Sequence, residues 1–452
     1  MASLLGAIAR VKRDVLAALD RTAVERVCDE LGHDWRDRTL DPATTVALFV
    51  QQVLHGNISC GEVRHLAGDT GRFTASAYCQ ARTRLPLRAL QALLTAVLDA
   101  ALPATRLHEH LWLGRHRVFH IDGSTFSMPD TPALREAFGA PSGQKPGCGF
   151  PVAHLLVLFN AQTGLLVDAW ASPLYTGDVA QAPEAHLHLD AGDVLVGDDG
   201  FSGYAHLASL TRRNLHALLP VHHLRIVDFT RGRPHCGEGG RAAEGMPTSR
   251  WIKSLGKEDQ LVEYFKPKQP ALWMTRAQHD ALPESIVVRE LRRTVERPGL
   301  GRVTLTMMTT LTDPRAYPAD ALLELRLRRW DVETNLAHLK TTMKMDVLRC
   351  KSEDGVRKEL AVFCLVYNLV RVVMLEAARR QAAPVARVSF ADALHWVRHA
   401  RPGDAMPPLK LNPPRPNRAE PRCKKRRAKQ YDLMNKPRDE LRIGLKTQRQ
   451  KA

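Results

Sequence analysis

Hydrophobic residues recur at helical spacing over the first part of the chain. A period of three to four residues is expected when one face of an α-helix is buried. Segments with this period begin near the N-terminus, at Pro42 and at Leu87. The pattern predicts an all-α region over residues 1–108, which opens with an amphipathic helix. The apolar face of that helix consists of Leu4, Leu5, Ile8, Val11, Val15 and Leu19.

Residues 42–84 contain an arrangement that is compatible with helix-turn-helix DNA binding. An apolar helix near residues 42–54 and a short one near 60–67 precede a turn at 68–71. Thr74 then caps a further helix, which carries Gln80, Arg82 and Arg84. In helix-turn-helix proteins the last helix offers such side chains to a DNA groove. Arg82 and Arg84 are therefore candidate DNA contacts, although three short helices with a turn are common in any all-α domain.

From about residue 115 the apolar positions alternate, which predicts β-strands. The predicted strands are residues 117–122, 154–159, 165–171, 193–197 and 303–311. The second and third flank a turn at 160–164 and should form a hairpin. The fourth leads into a helix that begins near Ser202. The helices predicted after the last strand are a long one over 319–345 and two more at about 354–382 and 389–400.

These changes of pattern divide the chain into four parts and predict a mixed α/β fold. Residues 1–108 form a helical N-terminal domain, to which DNA binding is assigned. Residues 109–220 and 299–401 form a core in which strands and helices alternate. Residues 221–298 are irregular, with strand-like pieces, and are predicted to be a β-rich insertion. Residues 402–452 form a basic, proline-rich tail that includes the run at 424–427.

The charge balance narrows the class of partner. Lysine and arginine number 65 against 48 aspartates and glutamates, a net charge of +17. This excess favours a polyanion, with nucleic acid the first candidate and an anionic membrane surface the second. The longest apolar stretch, residues 360–375, contains Asn368 and Arg371 and is shorter than the roughly 18–20 residues that span a bilayer. It is predicted to be a buried helix, and no membrane partner is expected.

Cysteine usage and the N-terminal segment indicate the compartment. The eight cysteines are scattered, without the spacing of a zinc site or a disulfide framework. Reduced thiols in a cytosol fit this usage. Charged residues at 10–14 interrupt the apolar N-terminus, and no small-residue cleavage site follows. A cytoplasmic location is therefore expected.

Two aspartates follow predicted strands directly. Asp122 ends the first strand, and Asp198 continues the fourth. Asp198 is favoured over Asp199, because adjacent side chains point in different directions and only one can face the same cleft as Asp122. A carboxylate in such a place can face a cleft while the strand holds it still. Taken singly, either aspartate would equally suit a turn or helix cap.

A glutamate on the predicted long helix completes a candidate triad. Arg329, Glu333 and Lys340 are spaced i, i+4 and i+11, so they project from one helical face. This arrangement suits a metal ligand beside groups that hold phosphate, while a surface salt-bridge ladder is the plainer interpretation. The presence of Asp122, Asp198 and Glu333 together in one sequence favours the interpretation as a metal-binding site. Clustered carboxylates are what Mg²⁺ or Mn²⁺ requires, and two such ions, about 3.5–4 Å apart in known sites, promote reactions at a phosphodiester.

These motifs resemble those of the bacterial DDE transposases of the insertion-sequence-four type, which have a ribonuclease-H-like catalytic core. The resemblance covers about residues 40–380. Segments 121–124 and 197–201 look like the two aspartate motifs of the family, and Asp199 stands where the family often has arginine. The family signature Tyr-x2-Arg-x3-Glu-x6-Lys is matched at Arg329, Glu333 and Lys340, with Arg326 in the tyrosine position.

The resemblance implies a ribonuclease-H-like core in which Asp122, Asp198 and Glu333 are the catalytic residues and hold two Mg²⁺ or Mn²⁺ ions. It implies cut-and-paste transposition, in which a homodimer binds terminal inverted repeats, frees the element through a hairpin intermediate and joins its 3′ ends to target DNA. The predicted DNA contacts are Arg329, Lys340, Arg349, Lys351, Arg82 and Arg84. The candidates to hold a flipped base are Trp251, Tyr264, Phe265 and Trp273, and core packing is the alternative for each.

Two other functions stay open on the sequence. One is a ribonuclease-H-like nuclease that only hydrolyses, and the other is a non-catalytic DNA-binding protein derived from a transposase. A transition-metal site was also weighed for the histidine pairs 108/110, 186/188 and 222/223. Spacings of one or two residues suit neither a helix face nor a closed four-ligand site without cysteine. The histidines are therefore assigned to surface or core positions.

Overall fold

Helices fill the described part of the chain before the first strand, and a sheet follows them. The computed structural model describes residues 19–36, 38–67, 73–102, 110–143, 145, 147–236, 245–297, 301–400, 404–413, 434 and 436–451. Four predicted features lie outside these residues, namely the amphipathic helix before residue 19, the turn at 68–71, His108 and the basic run at 424–427.

Five helices are described before the sheet, and the first four begin at side-chain caps. They are α1 (Arg21–Glu30), α2 (Pro42–Leu54), α3 (Cys60–Leu66), α4 (Ala75–Arg84) and α5 (Leu87–Ala101). Oxygens of Asp20, Asp41, Ser59 and Thr74 accept N–H bonds in the first turns of α1 to α4. Such a cap stabilises a helix by about 1 kcal/mol. The predicted cap at Thr74 is confirmed.

The sheet contains the predicted hairpin and extends well beyond it. The described strands are β1 (Val118–Ser127), β2 (Val152–Asn160), β3 (Leu166–Pro173), β4 (Val194–Val196), β5 (His216–Pro220), β6 (Arg250–Gly256), β7 (Asp259–Phe265), β8 (Ser285–Arg297) and β9 (Gly301–Thr309). Their order is β3-β2-β1-β4-β5-β9-β8-β7-β6. β1, β4 and β5 are parallel neighbours, and the other pairings are antiparallel.

Nine helices are described after β1, and several of them pack against the sheet. They are α6 (Pro132–Phe138), α7 (Asp178–His186), α8 (Tyr204–Arg212), α9 (Arg276–Asp280), α10 (Ala319–Leu327), α11 (Trp330–Ala337), α12 (Glu353–Arg380), α13 (Phe390–His399) and α14 (Arg438–Lys451). By length and composition α12 could cross a membrane, but 89% of its apolar window is buried in the fold. It packs against α5, α2 and β3 and is the buried helix that the sequence predicted.

The first predicted strand is longer than its hydrophobic pattern indicates. β1 does not end at Asp122 but continues to Ser127. Its antiparallel ladder with β2 extends to the pair Ser127 and Val152, so backbone pairing rather than side-chain alternation holds this part of the strand. Asp122 is consequently held on one side by β2 within a continuous strand, which restrains it more firmly than a strand end would.

The predicted long helix over residues 319–345 is broken between α10 and α11. At the break, the N–H groups of Arg329, Asp331 and Val332 bond to carbonyls three residues back instead of four. Such bonds tighten the chain into a 3₁₀ turn. A π-helical turn, His338–Thr342, follows α11 directly. The segment that carries Arg329, Glu333 and Lys340 is therefore three short pieces rather than one straight helix.

Candidate active site

Asp122 and Asp198 come side by side because their strands are parallel neighbours. The last pair of the ladder between β1 and β4 is His120 with Val196. The same register, continued by two residues, places Asp122 opposite Asp198, just beyond the end of β4. β1 loses its neighbour on this side at Asp122, while β2 still pairs with it on the other. A cleft can therefore open at Asp122 without loosening the strand.

The Asp122 carboxylate is largely buried, with 15% of its side chain exposed. Burial is the largest cause of a pKa raised to about 6. The carboxylates of Asp198 and Asp178 raise this pKa further, whereas Arg329 and the Gly123 N–H lower it. Burial and neighbouring negative charge both disfavour the ionised form. A cation bound among these carboxylates would stabilise their ionised form.

Asp198 begins a tight turn that the buried Phe201 ring anchors in the core. Its Oδ1 accepts the Gly200 N–H at 3.0 Å, and the 3₁₀ turn Asp199–Phe201 follows with the Phe201 ring buried. At Gly197 a Cβ would lie 2.8 Å from Phe201 Cδ2, so a side chain there would force the turn to move. Burial raises the pKa of Asp198, and Asp178 and Asp199 add to the rise.

Arg329 connects the helical glutamate to the strand aspartate. Its Nη2 lies 2.9 Å from Glu333 Oε1, and its Nη1 lies 3.4 Å from Asp122 Oδ2. The Arg329 side chain is 12% exposed and that of Glu333 is 44% exposed. Glu333 is therefore the more solvent-exposed of the two. The structure brings Asp122, Arg329 and Glu333 together, although β1 and α11 are far apart in the sequence.

Lys340 reaches the same strand from the π-helical turn. Its Nζ donates to Ser124 Oγ at 2.7 Å, two residues beyond Asp122. Burial lowers the pKa of Lys340. π-Helical turns are rare in proteins, and many of those that do occur lie at functional sites. Arg329 and Lys340 thus both contact β1. This agrees with the prediction that the two side chains project in the same direction.

A fourth carboxylate belongs to this cluster, and the sequence analysis missed it. Asp178 is the first residue of α7, and its charge raises the pKa of both Asp122 and Asp198. His154 on β2 bonds to it through Nε2. At Gly123 a Cβ would lie 2.1 Å from Asp178 Oδ1, so glycine leaves the space that this carboxylate fills. No motif marks Asp178; only its place at a helix start after a strand could have drawn attention to it.

The donor set of the cluster fits a hard divalent cation. Carboxylate oxygens are the ligands that Mg²⁺ and Mn²⁺ prefer. In the described part of the chain, the oxygens of Asp122, Asp198 and Glu333 do not all lie within 4.8 Å of one another. The Arg329 guanidinium lies between Asp122 and Glu333 and supplies positive charge there. A metal ion that bridged those two carboxylates would require this guanidinium to move.

The predicted DNA contacts outside the cluster differ in exposure. The exposed ones are Arg84, Arg349 and Lys351. Arg82 is only 9% exposed, and its guanidinium donates to Gln52 Oε1 at 3.0 Å and Cys350 Sγ at 2.7 Å. The prediction that Arg82 contacts DNA is therefore wrong. Residues two apart on a helix face different directions, so Arg82 and Arg84 could not both have faced one groove.

Arg84 lines a groove in the helical part of the molecule. A cavity of about 670 Å³ contains Arg84, Arg38, Arg64 and Gln80 in its wall, and all four are exposed. Arginine and glutamine side chains of this kind contact phosphate oxygens and base edges in protein–DNA complexes. The groove is therefore the DNA-facing candidate among the described helices before β1.

The aromatic residues of the insertion have different surroundings. Tyr264 and Trp273 pack against an apolar cluster formed by β1, β4, β5 and α8, and the Arg225 guanidinium lies 3.8 Å from the Tyr264 ring centroid. Phe265 stacks on His235. For Tyr264 and Trp273 the structure thus supports core packing, the alternative that the sequence left open.

Comparison with known proteins bears on what the carboxylates do. The family model of the transposase DDE domain matches residues 113–369, which is more than half of the 452 residues. The matched span contains Asp122, Asp178, Asp198 and Glu333. The chain belongs to the DDE transposases. This transposase is of the insertion-sequence-four type, as its relatives indicate.

Two curated relatives and one solved structure are similar to the transposase. It is 25% identical over 337 residues to the transposase InsG for insertion sequence element IS4 of Escherichia coli (strain K12), covering 74% of this chain and 68% of that protein. It is 30% identical over 108 residues to the putative transposase InsZ of the same strain, covering 23% and 36%. The piggyBac transposase synaptic complex with hairpin DNA gives a TM-score of 0.40 at 10% identity, covering 88% and 80%.

Membership of the DDE transposase family determines the class of reaction that this protein catalyses. The transposase is a metal-dependent enzyme that binds DNA, cleaves it and transfers its strands, and its family uses divalent metal ions. These findings favour neither of the two alternatives, the nuclease that only hydrolyses and the non-catalytic DNA-binding protein.

Proposed function

We propose that this transposase binds the terminal inverted repeats of its insertion element and moves the element by cut-and-paste transposition, with Asp122, Asp198 and Glu333 as metal ligands. The observation that carries the assignment is the position of Arg329. It contacts both Asp122 on β1 and Glu333 on α11, while Asp198 follows the strand beside β1. Arg329 thus links two of the three acids directly, and the third follows the neighbouring strand.

Two Mg²⁺ or Mn²⁺ ions suit the proposed ligands Asp122, Asp198 and Glu333. Such ions, when bound, activate a water or a 3′ hydroxyl and stabilise the oxygen that leaves the phosphodiester. The protein contributes rigid placement of the ligands. β2 holds Asp122 from one side, and the Gly200 N–H fixes the orientation of Asp198. Arg329 offsets the repulsion between Asp122 and Glu333 and, with Lys340, positions the DNA backbone at the carboxylates.

Asp178 acts as a positioning residue in this proposal. Its carboxylate lies against the backbone of Gly123 and is bonded to His154, so it fills the space between α7 and the strand that carries Asp122. Its negative charge also opposes the ionisation of Asp122 and Asp198. The negative charge of Asp178 therefore makes the binding of cations by the cluster more favourable.

The strand order supports a ribonuclease-H-like core over residues 109–220 and 299–401. Three antiparallel strands, β3-β2-β1, are followed by the parallel strands β4 and β5, as in that fold. β9 pairs with β5 on one side and with β8 on the other, and so joins the core to the strands β6, β7 and β8 of the β-rich insertion at 221–298. Residues 1–108 are proposed as the DNA-binding domain and 402–452 as the basic tail. The proposed active assembly is a homodimer on DNA in the bacterial cytoplasm.

The test is cleavage of a duplex that carries the terminal repeat of the element. Wild type and Glu333→Gln are compared in Mg²⁺ or Mn²⁺, with Glu324→Gln on the exposed surface of α10 as the matched control. We expect nicking at the repeat end by wild type and the control. Loss of one metal ligand removes several kcal/mol of transition-state stabilisation, so Glu333→Gln should cleave about 10³-fold more slowly.

The outcomes separate the alternatives. Joining of the cleaved 3′ end to a second duplex establishes strand transfer, whereas cleavage without joining identifies a nuclease. Binding of the repeat by wild type without any cleavage identifies a non-catalytic DNA-binding protein. Equal cleavage by wild type and Glu333→Gln shows that the metal ligands are assigned to the wrong residues.

A further inference from the structure

Two histidines that the sequence analysis assigned to surface or core positions lie beside an acid next to the active site. Asp199 opens the 3₁₀ turn after β4, and His222 and His223 follow β5. His223 Nδ1 lies 3.5 Å from Asp199 Oδ2, and the two histidine rings are 4.2 Å apart between centroids. Within the described residues, this is the trio of potential ligands whose donor atoms all lie within 4.8 Å of one another.

An ion at this trio would take one nitrogen of each histidine ring. His222 Nδ1 accepts the Leu224 N–H at 3.2 Å, so coordination through Nε2 moves the ring proton to Nδ1 and breaks this contact. Asp199 and His222 both line a cavity of about 330 Å³, so an ion can reach them from solvent. Arg225, which lines the same cavity, is paired with Glu290 at 3.0 Å and is therefore already engaged by another acid.

We propose that Asp199, His222 and His223 form a second metal site, which takes a first-row transition metal ion such as Zn²⁺. Two imidazoles and one carboxylate suit Zn²⁺ with an open position for water. The carboxylates of Asp122, Asp198 and Glu333 suit the harder Mg²⁺ instead. The two neighbouring sites therefore differ in the ion that each prefers.

An ion at this second site joins two parts of the fold. Asp199 belongs to the turn that carries Asp198, whereas His222 and His223 begin the connection from β5 towards β6. Metal ligands from both segments hold them together by coordination as well as by packing. The ion therefore clamps the start of the insertion to the turn beside the active site. This role goes beyond the proposed transposition chemistry and does not depend on it.

Two other pairs of neighbouring histidines lack the features that make Asp199, His222 and His223 a candidate metal site. His186 and His206 are buried and bond to each other at 3.0 Å, so their Nε2 atoms are engaged. His395 and His399 are exposed on α13 with ring centroids 4.6 Å apart, and no third ligand from the described residues completes a trio with them. This exposed pair is the matched control for a site that needs a third ligand.

The test is metal binding by the metal-free full-length protein in excess Mg²⁺. Co²⁺ is titrated by its visible absorption and Zn²⁺ by calorimetry. We expect one equivalent to bind to wild type, to Glu333→Gln and to the His395→Asn/His399→Asn control. The His222→Asn/His223→Asn variant and the milder Asp199→Asn should each bind at least about 100-fold more weakly, since even partners outside the ligand shell contribute 10–100-fold.

A second readout reports the clamp. Addition of Zn²⁺ should slow hydrogen exchange of the amides in residues 221–236 in wild type but not in the His222→Asn/His223→Asn variant. Absence of transition-metal binding in wild type overturns the proposal, as does undiminished binding by either Asp199→Asn or the double variant. Loss of the equivalent in Glu333→Gln would assign it to the active site and also overturns the proposal. None of these results bears on whether Glu333 is needed for DNA cleavage.

Discussion

The two halves of the sheet are built by different means. In the inner half, β3-β2-β1-β4-β5, strands such as β2 and β4 consist almost wholly of buried aliphatic and aromatic residues. In the outer half, β9-β8-β7-β6, the strands alternate or are exposed. The outer half also contains buried ion pairs, Arg289–Asp259 and Arg225–Glu290. Apolar packing thus dominates one half, and charged pairs between strands contribute to the other.

The difference follows the placement of the acids. Asp122 and Asp198 extend from β1 and β4 of the inner half, where close packing leaves each strand little freedom. Catalytic groups act only when they are held close to their productive geometry. The outer half carries no member of the acid cluster and offers exposed polar side chains instead. A rigid inner half for chemistry and a polar outer half for contacts is the division that the following experiments test.

The largest effect is expected from breaking an ion pair in the outer half. Arg289 donates to both oxygens of Asp259, at 2.8 and 2.6 Å, and the two side chains are 1% and 5% exposed. Among the described residues, Arg289→Met leaves the buried Asp259 charge with one ion-pair partner, Arg293 at 3.8 Å. Removal of one partner of a buried pair costs about 3–5 kcal/mol, so urea unfolding should show a free energy lower by that amount.

Two further variants identify the cause of this loss. Arg276→Met removes an exposed pair with Asp280 on α9, and such a pair contributes at most about 1 kcal/mol. Arg289→Met combined with Asp259→Leu should recover most of the stability, because no unpaired charge stays buried. If the double variant is no more stable than the single one, hydrogen bonding of Arg289 to the Tyr317 carbonyl, rather than the ion pair, holds this half together.

The next largest effect is expected at Asp178 in the inner half. Partners that orient metal ligands contribute about 10–100-fold to activity or metal affinity, so Asp178→Asn should slow cleavage by about this factor. The Mg²⁺ concentration for half-maximal cleavage should rise, because the cluster loses a negative charge. Asp190→Asn, which changes an exposed acid before the start of β4, is the control. A slower rate at unchanged Mg²⁺ dependence would contradict the electrostatic part of the role.

A smaller effect concerns the pH dependence of folding in the inner half. Burial lowers the pKa of His206 to about 4, whereas an exposed histidine in the unfolded chain has a pKa near 6.5. Between these values the unfolded chain binds one more proton than the folded protein, so stability falls as the pH falls. From pH 7 to pH 5 the loss due to His206 is about 2 kcal/mol, at about 1.36 kcal/mol per pH unit below 6.5.

The measurement is urea unfolding of wild type and His206→Asn at pH 7 and pH 5. The difference in unfolding free energy between the two pH values should be smaller in the variant by about 2 kcal/mol. His395→Asn, which changes an exposed histidine, should leave that difference as in wild type. An equal pH dependence in wild type and His206→Asn would show that His206 is protonated in the folded protein.

Periodicity predicted the parts of the fold that local sequence controls. The hairpin of β2 and β3 and the helices α2, α4, α12 and α13 lie within a few residues of their predicted bounds, because burial of one face imposes a regular pattern. The parts that depend on distant contacts were missed. β1 beyond Asp122 is held by pairing with β2, and the burial of Arg82 depends on Gln52 and Cys350.

The part of the candidate site that lies within one short sequence motif could be predicted. Arg329 and Glu333 are close because they are four residues apart, a distance that the sequence fixes. Asp178 joins the cluster only because the start of α7 lies against Gly123 of β1, and His222 and His223 meet Asp199 only because β5 lies next to β4. Both are consequences of sheet order, which a single sequence does not contain.

The smallest effect concerns the surface that carries DNA away from the cleft. Arg349 is exposed on the segment between the π-helical turn and α12. If it contacts one phosphate, Arg349→Ala should lower the slope of log affinity against log salt concentration by about 0.9, as measured by fluorescence anisotropy of a labelled repeat duplex. Lys253→Ala, at an exposed position on β6, applies the same measurement to the outer half. An unchanged slope for Arg349→Ala with a lower one for Lys253→Ala would place the phosphate contacts on the outer half of the sheet, as the division between a rigid inner half and a polar outer half predicts, whereas the reverse result would contradict that part of the division.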